Sequence, residues 1–120
     1  MTISIHHADA VTTICVEGEL DMLTAPTLAE YVNVVFAGTS RAVVIDLNHV
    51  EFLSAAGLEV LASARRTAGP GTGIALVAAG RAVRRPIQLT GIDEILPVFL
   101  TRSAAITALT ALQRHQSATT

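Results

Sequence analysis

Apolar and polar positions alternate with a period of two over residues 2–7, through Ile3 and Ile5, and again over residues 11–17. In the second run Val11, Thr13 and Cys15 fall on one side, and Thr12, Ile14 and Val16 on the other. That period predicts two strands, and Ala8-Asp9-Ala10 between them predicts the turn of an antiparallel pair. Gly18-Glu19-Leu20-Asp21 then reads as a loop. The period changes at Leu28, Tyr31, Val32, Val35 and Phe36, whose spacing is one face of a helix. Thr24 is placed to cap that helix, Pro26 sits in its first turn where a missing N–H costs little, and Gly38 stops it.

From Ala42 to Leu47 the chain is apolar up to Asp46, the pattern of a central strand buried on both faces. After a predicted loop at 48–53, Ser54 is placed to cap a helix running to about Ala68, with Leu58, Leu61, Ala62 and Arg65 on one face. Gly69-Pro70-Gly71-Thr72-Gly73 breaks the chain. Ile74–Ala78 predicts another buried strand. A helix from about Ala82 to Gly91 follows, and Pro86 requires it to be short, kinked or late in starting. Ile95–Leu100 predicts a final strand. Thr101 or Ser103 then caps a last helix with Ala105, Ile106, Leu109 and Leu112 facing inward, and residues 114–120 are expected to fray. The predicted order is ββαβαβαβα. Strands joined through single helices are usually parallel neighbours, so the expected fold is α/β: a mixed sheet of four to five strands, antiparallel at its start, with about four helices.

Length and charge narrow the function. The 120 residues suit one domain, expected at 1–113, and an apolar share of 51% is enough for a core. With three Phe, one Tyr and no Trp, that core must be aliphatic. A net charge of −2 gives no electrostatic reason to bind nucleic acid. All eight basic residues are Arg, which removes a P-loop lysine, a Schiff-base lysine and a lysine base. Cys15 stands alone, so no internal disulfide or multi-thiolate metal site is available, and a small buried apolar role suits it best. No apolar run approaches the roughly 18 residues that span a bilayer, and the first ten residues lack the pattern of a signal peptide. A cytoplasmic location is the expectation.

Candidate chemistry is sparse. Asp46 ends a central strand, a common place for sites in open α/β sheets, and Asp21, His49, Glu51 and Ser54 lie in segments that could meet near it. A Ser/His/Asp set therefore exists on paper, but no nucleophile elbow surrounds Ser54 and His49 is only five residues away, so catalysis is not expected. His6 and His7 are adjacent in a strand and point to opposite faces, so no metal site is expected. The glycines at 69–73 precede a strand and not a helix N-terminus, which makes them a turn. The most informative stretch is Val43–Leu61. There Ser54-Ala55-Ala56-Gly57 leaves the first turn of a helix nearly bare, open either to an anion or partner or to close packing on the sheet.

Taken together, these segments resemble the STAS domain, and within it the bacterial anti-sigma factor antagonists. Gly18-Glu19-Leu20-Asp21 with Thr24-Ala25-Pro26 is similar to the family's opening loop and first helix. Asp46-Leu47-Asn48-His49-Val50-Glu51-Phe52-Leu53 followed by Gly57-Leu58 is similar to its central signature. Arg84-Arg85, Leu89-Thr90-Gly91-Ile92-Asp93 and Ile95-Leu96-Pro97-Val98-Phe99 also match. The resemblance implies a STAS-like mixed sheet with its helices packed mainly on one side. It implies partner switching without a cofactor: a monomer binds an anti-sigma factor, usually an ATP-binding serine kinase, and so releases a sigma factor for transcription. The implied contact surface is Asp21, Asn48, His49, Glu51, Ser54, Ala55, Ala56, Gly57 and Leu58. One departure matters. The serine that the kinase phosphorylates in the family aligns with Ala55, and the preceding Asp aligns with Ser54. Control by phosphorylation is therefore absent or shifted to Ser54. The alternative is a diverged STAS module that binds a nucleotide, a lipid or another regulatory protein.

Overall fold

The computed structural model describes residues 1–8 and 10–118, with side chains through Gln113. Strand β1 (Thr2–Ala8) pairs antiparallel with β2 (Val11–Leu20), as the alternating pattern requires. Asp9, in the turn between them, lies outside the described residues. The remaining elements are α1 (Ala25–Ala37), β3 (Ala42–Leu53), α2 (Ala55–Ala68), β4 (Gly73–Val77), α3 (Arg81–Thr90), α4 (Ile92–Ile95), β5 (Val98–Phe99) and α5 (Arg102–Ala118). The five strands lie side by side in chain order, and β2 through β5 run parallel. Every crossover therefore joins neighbouring strands, and α1, α2, α3 and α5 all start at the carboxyl ends of the strands.

Two apolar layers sandwich the sheet. Leu28, Val32, Leu61, Val83, Ile87 and Ile92 of α1–α4 pack on Ile14, Val43, Ile45 and Leu76 on one face. On the other, α5 alone lays Ala105 and Leu109 against Val11, Val44, Ala75 and Val77. The core is aliphatic throughout, each fully buried Leu, Ile or Val contributing about 1.5–3 kcal/mol over its exposed state. No helix among the described residues is long and apolar enough to cross a membrane.

The structure departs from the sequence-based expectations in particular places. Of the loops expected at 18–21 and 48–53, all but Asp21 is strand: β2 continues to Leu20 and β3 to Leu53, paired with each other alone. Register shifts near Glu17 and Gly18, the latter at φ 99°, break the period of two there and hide the strands from pattern reading. The final strand is only Val98–Phe99, because Ile92–Ile95 forms a fifth helix, the single turn α4. Thr24 does not cap α1 with its side chain: Pro26 offers no N–H, and Thr24 turns back to Asp21. Arg65 is not simply a core-facing residue. Its guanidinium donates to the carbonyls of Gly69 and Thr72 and holds the Gly-rich turn. Leu112 is exposed, since Leu109 already reaches Gly73 at the start of β4 and the next turn of α5 overshoots the sheet. Helix α5 runs on to Ala118, through most of the segment expected to fray; Thr119 and Thr120 lie outside the described residues.

Candidate functional site

The extended ends of β2 and β3 build the site. Leu20 pairs with Leu53, and the Ser54 N–H donates to the Leu20 carbonyl at 2.9 Å, so the 21–24 turn and the start of α2 are held side by side. Within the turn, the Asp21 carboxylate accepts from the N–H groups of Leu23 at 2.9 Å and Thr24 at 3.0 Å. The Asp21 N–H in turn donates to the Thr24 hydroxyl. The Thr24 N–H, followed by the other hydrogen bonds of the turn, holds the Asp21 carboxyl below its usual range, because these bonds favour the charged form.

Ser54 caps α2 as its sequence predicts, its hydroxyl accepting from the Gly57 N–H at 3.2 Å. Ala55 is exposed; Ala56 and Leu58 are half-buried. Gly57 is buried. A Cβ placed there would come within 2.8 Å of Leu20 and 2.9 Å of Leu53. Its lack of a side chain lets α2 sit close on the ends of β2 and β3, so Gly57 shapes the site from beneath and presents nothing at its surface.

Three residues that sequence reasoning did not single out stand beside this turn. Met22 is 75% exposed, Leu23 83% and Phe52 52%. Phe52 sits opposite Glu19, one position from the Leu20–Leu53 pair. The signal for Met22 and Leu23 is an apolar pair inside a polar turn.

The nine residues expected to act together divide into groups. Asp21, Ser54, Ala55, Ala56 and Leu58 frame the α2 turn, with Gly57 below. His49 and Glu51 instead line an open trough of about 570 Å³ with Glu17 and Gly18, toward β1. Asn48 borders that trough but is spent structurally: its amide oxygen accepts from the Ala79 N–H at 2.7 Å and its Nδ2 donates to the Leu100 carbonyl.

Asp46 belongs to neither group. It is buried on the α5 side, where Arg102 donates to its carboxylate at 2.8 Å and 3.1 Å, and Arg102 Nη2 also reaches Cys15 Sγ at 2.8 Å. Burial pushes the Cys15 thiol up, partly offset by the Arg102 charge. No hydrogen bond joins His49 to Ser54 or Asp46, so the Ser/His/Asp set that exists on paper does not assemble. Among the described residues no three His, Cys, Asp or Glu side chains are grouped to hold a metal ion.

Comparison with known proteins agrees with this architecture. The STAS domain model matches residues 2–105. RsfB of Mycobacterium tuberculosis, named an anti-sigma-F factor antagonist, is 36% identical over 109 residues, spanning 91% of this chain and 89% of its own. RsfA of the same species, named likewise, is 32% identical over 108 residues, spanning 88% and 84%. The crystal structure of an anti-sigma factor antagonist from Mycobacterium paratuberculosis superposes with a TM-score of 0.87 at 44% identity, over 90% of this chain and 92% of that one. The chain belongs to the STAS domain family.

Proposed function

We propose that this chain is an anti-sigma factor antagonist. It docks through the α2 turn and the adjoining 21–24 turn onto an anti-sigma factor of the ATP-binding serine kinase type, and so frees a sigma factor. It works in the cytoplasm as a monomer, its working surface being occupied by a different protein. The observation that carries this reading is the juxtaposition at the site. A helix start with only Ala55 and Ala56 on it stands beside the turn that exposes Met22 and Leu23, the two held together by the Ser54–Leu20 hydrogen bond. Small residues let a partner's backbone approach closely, and the flanking apolar side chains supply area to bury.

The same geometry bears on control. Ala55 has no hydroxyl to phosphorylate. Ser54 carries the only hydroxyl from 54 to 58, and it is engaged as the helix cap. The antagonist therefore binds without an off-switch at this turn. The trough beside His49 and Glu51 is wide open and offers no enclosed site to a nucleotide or lipid, which favours docking over the ligand-binding alternative.

The test is a calorimetric titration against the anti-sigma-F-type factor of the same genome. The Ala55→Glu variant places a charge where the partner must sit flush, and is expected to weaken binding at least about tenfold, or about 1.4 kcal/mol. Unchanged affinity would remove the α2 turn from the interface. Incubation of the pair with ATP is expected to leave Ser54 unmodified by mass spectrometry.

A further inference from the structure

Helix α3 carries Arg81, Arg84 and Arg85, three of the chain's eight basic residues, within its first five positions. Every local rule opposes that placement. The N-terminus of a helix is its positive end, and no acidic residue stands in this first turn to offset it. Spacings of three and four residues put the guanidinium groups over one another on the helix surface, where like charges repel. No internal partner relieves them: among the described residues the ion pairs are Arg66–Glu59 and Arg102–Asp46, and neither involves α3. Arg81 and Arg85 are exposed, while Val83 and Ile87 anchor the opposite face in the core. Arg84 is half-buried over a cleft of about 220 Å³ floored by Ile87 and Val98. Asp93 shares that cleft without forming an ion pair with Arg84. The patch is basic on a chain whose net charge is −2.

We infer that the Arg81–Arg84–Arg85 face of α3 is a second, electrostatic contact for the protein partner and receives an acidic segment of it. This rests on the proposed docking function and extends its surface. Position supports it. Helix α3 packs against β3, the strand whose outer end carries the site, and Asn48 ties the loop before α3 to that strand through the Ala79 N–H. Helices α2 and α3 both start at the carboxyl edge of neighbouring parallel strands and pack on the same face of the sheet, so the patch and the α2 turn belong to the same edge of the molecule. The spread of charge selects the occupant. The three positions extend about 6 Å along the helix, and the planar forks of Arg suit carboxylates bidentately. Arg84 borders this cleft, while Arg81 and Arg85 are exposed and do not line it, so the three do not close around one small anion. A segment with repeated Asp or Glu can meet all three.

The experiment repeats the calorimetric titration with the anti-sigma-F-type factor at low salt and at about 0.5 M salt, where the screening length falls to a few ångströms. Three full-length proteins are compared: the wild type, Arg81→Glu/Arg84→Glu/Arg85→Glu, and Arg81→Lys/Arg84→Lys/Arg85→Lys. The wild type is expected to weaken about tenfold at high salt. The Glu variant is expected to lose at least about tenfold at low salt and to recover part of that loss as salt screens the new repulsion, and the Lys variant, which keeps the charge without the bidentate fork, to fall between the two and keep the wild type's direction of salt response. Wild-type affinity in the Glu variant, or an undiminished salt response in it, overturns the inference. If Ala55→Glu weakens binding in the same assay while the Glu triple variant does not, the docking function stands and only the α3 contact falls. If the wild type shows no binding, both fall. Saturable binding of inorganic phosphate or ATP that perturbs α3 amides in NMR spectra would assign the patch to a small anion and likewise overturn it.

Discussion

The two halves of β3 follow different rules. From Ala42 to Leu47 every residue is buried, including Asp46, and the strand is flanked on both sides by β2 and β4. From Asn48 to Leu53 it has outrun β4, pairs only with β2, and buries only Val50 and Leu53. The inner half serves the fold, the outer half the surface. One strand thus carries the site outward from a rigid sheet, and this fixes the α2 turn more firmly than a free loop would. It also separates two kinds of sensitivity: changes to the inner half should cost stability and spare binding, while changes at the outer end should do the reverse.

Asp46→Ala is the sharpest way to break that separation. It removes a buried carboxylate that holds Arg102, and with it α5, to the sheet, and that also accepts from the Asn48 N–H. Arg102 is partly exposed, so solvent softens the loss. A cost of about 2–3 kcal/mol is expected in denaturant unfolding, with partner affinity within about twofold of the wild type once folded. A large loss of affinity in a folded Asp46→Ala protein would show that the two halves are coupled.

Gly57→Ala sits on the boundary. Its methyl would push Leu20 and Leu53 apart, at a cost of about 1–3 kcal/mol, and would shift the α2 turn itself. Both the unfolding midpoint and partner affinity should fall, in contrast to Ala55→Glu, which should lower affinity alone.

The smallest effect is expected from Asp21. Its carboxyl is held below the usual range by the Thr24 and Leu23 N–H groups, so it binds its proton less tightly in the folded chain than in the unfolded one. Its contribution is therefore present above the unfolded value, near pH 4, and is lost as pH falls through the lower folded value. Asp21→Asn should lower stability slightly at neutral pH and flatten the acid limb measured between about pH 5 and pH 2, the two proteins converging at the acid end.

Much of this division can be read from the residues. Val43, Val44 and Ile45 announce the inner strand because a strand buried on both faces has no polar side. Ser54 is visible as a cap because a hydroxyl immediately before a helical pattern has one local use. The outer half was hidden for a physical reason: the register shifts near Glu17 and Gly18 destroy the alternation, and Asn48, His49 and Glu51 resemble loop composition. The role of Asp46 is not legible in the chain, because its side chain's partner, Arg102, lies 56 residues away. Met22 and Leu23 give no pattern to read, because two apolar residues in a turn carry no period. Only the fold, through the Ser54–Leu20 hydrogen bond, sets their turn beside the start of α2.

Hydrogen exchange of the chain, free and bound to its anti-sigma factor, tests the central claim most directly. If the outer end of β3 and the α2 turn form the docking surface, amides in residues 20–24 and 52–58 should gain protection on binding. Those of the inner half, Ala42–Leu47, should exchange at the same slow rate in both states. Protection confined to α5 or to the β1 edge, with 52–58 unchanged, would contradict the account and move the interface to another side of the molecule.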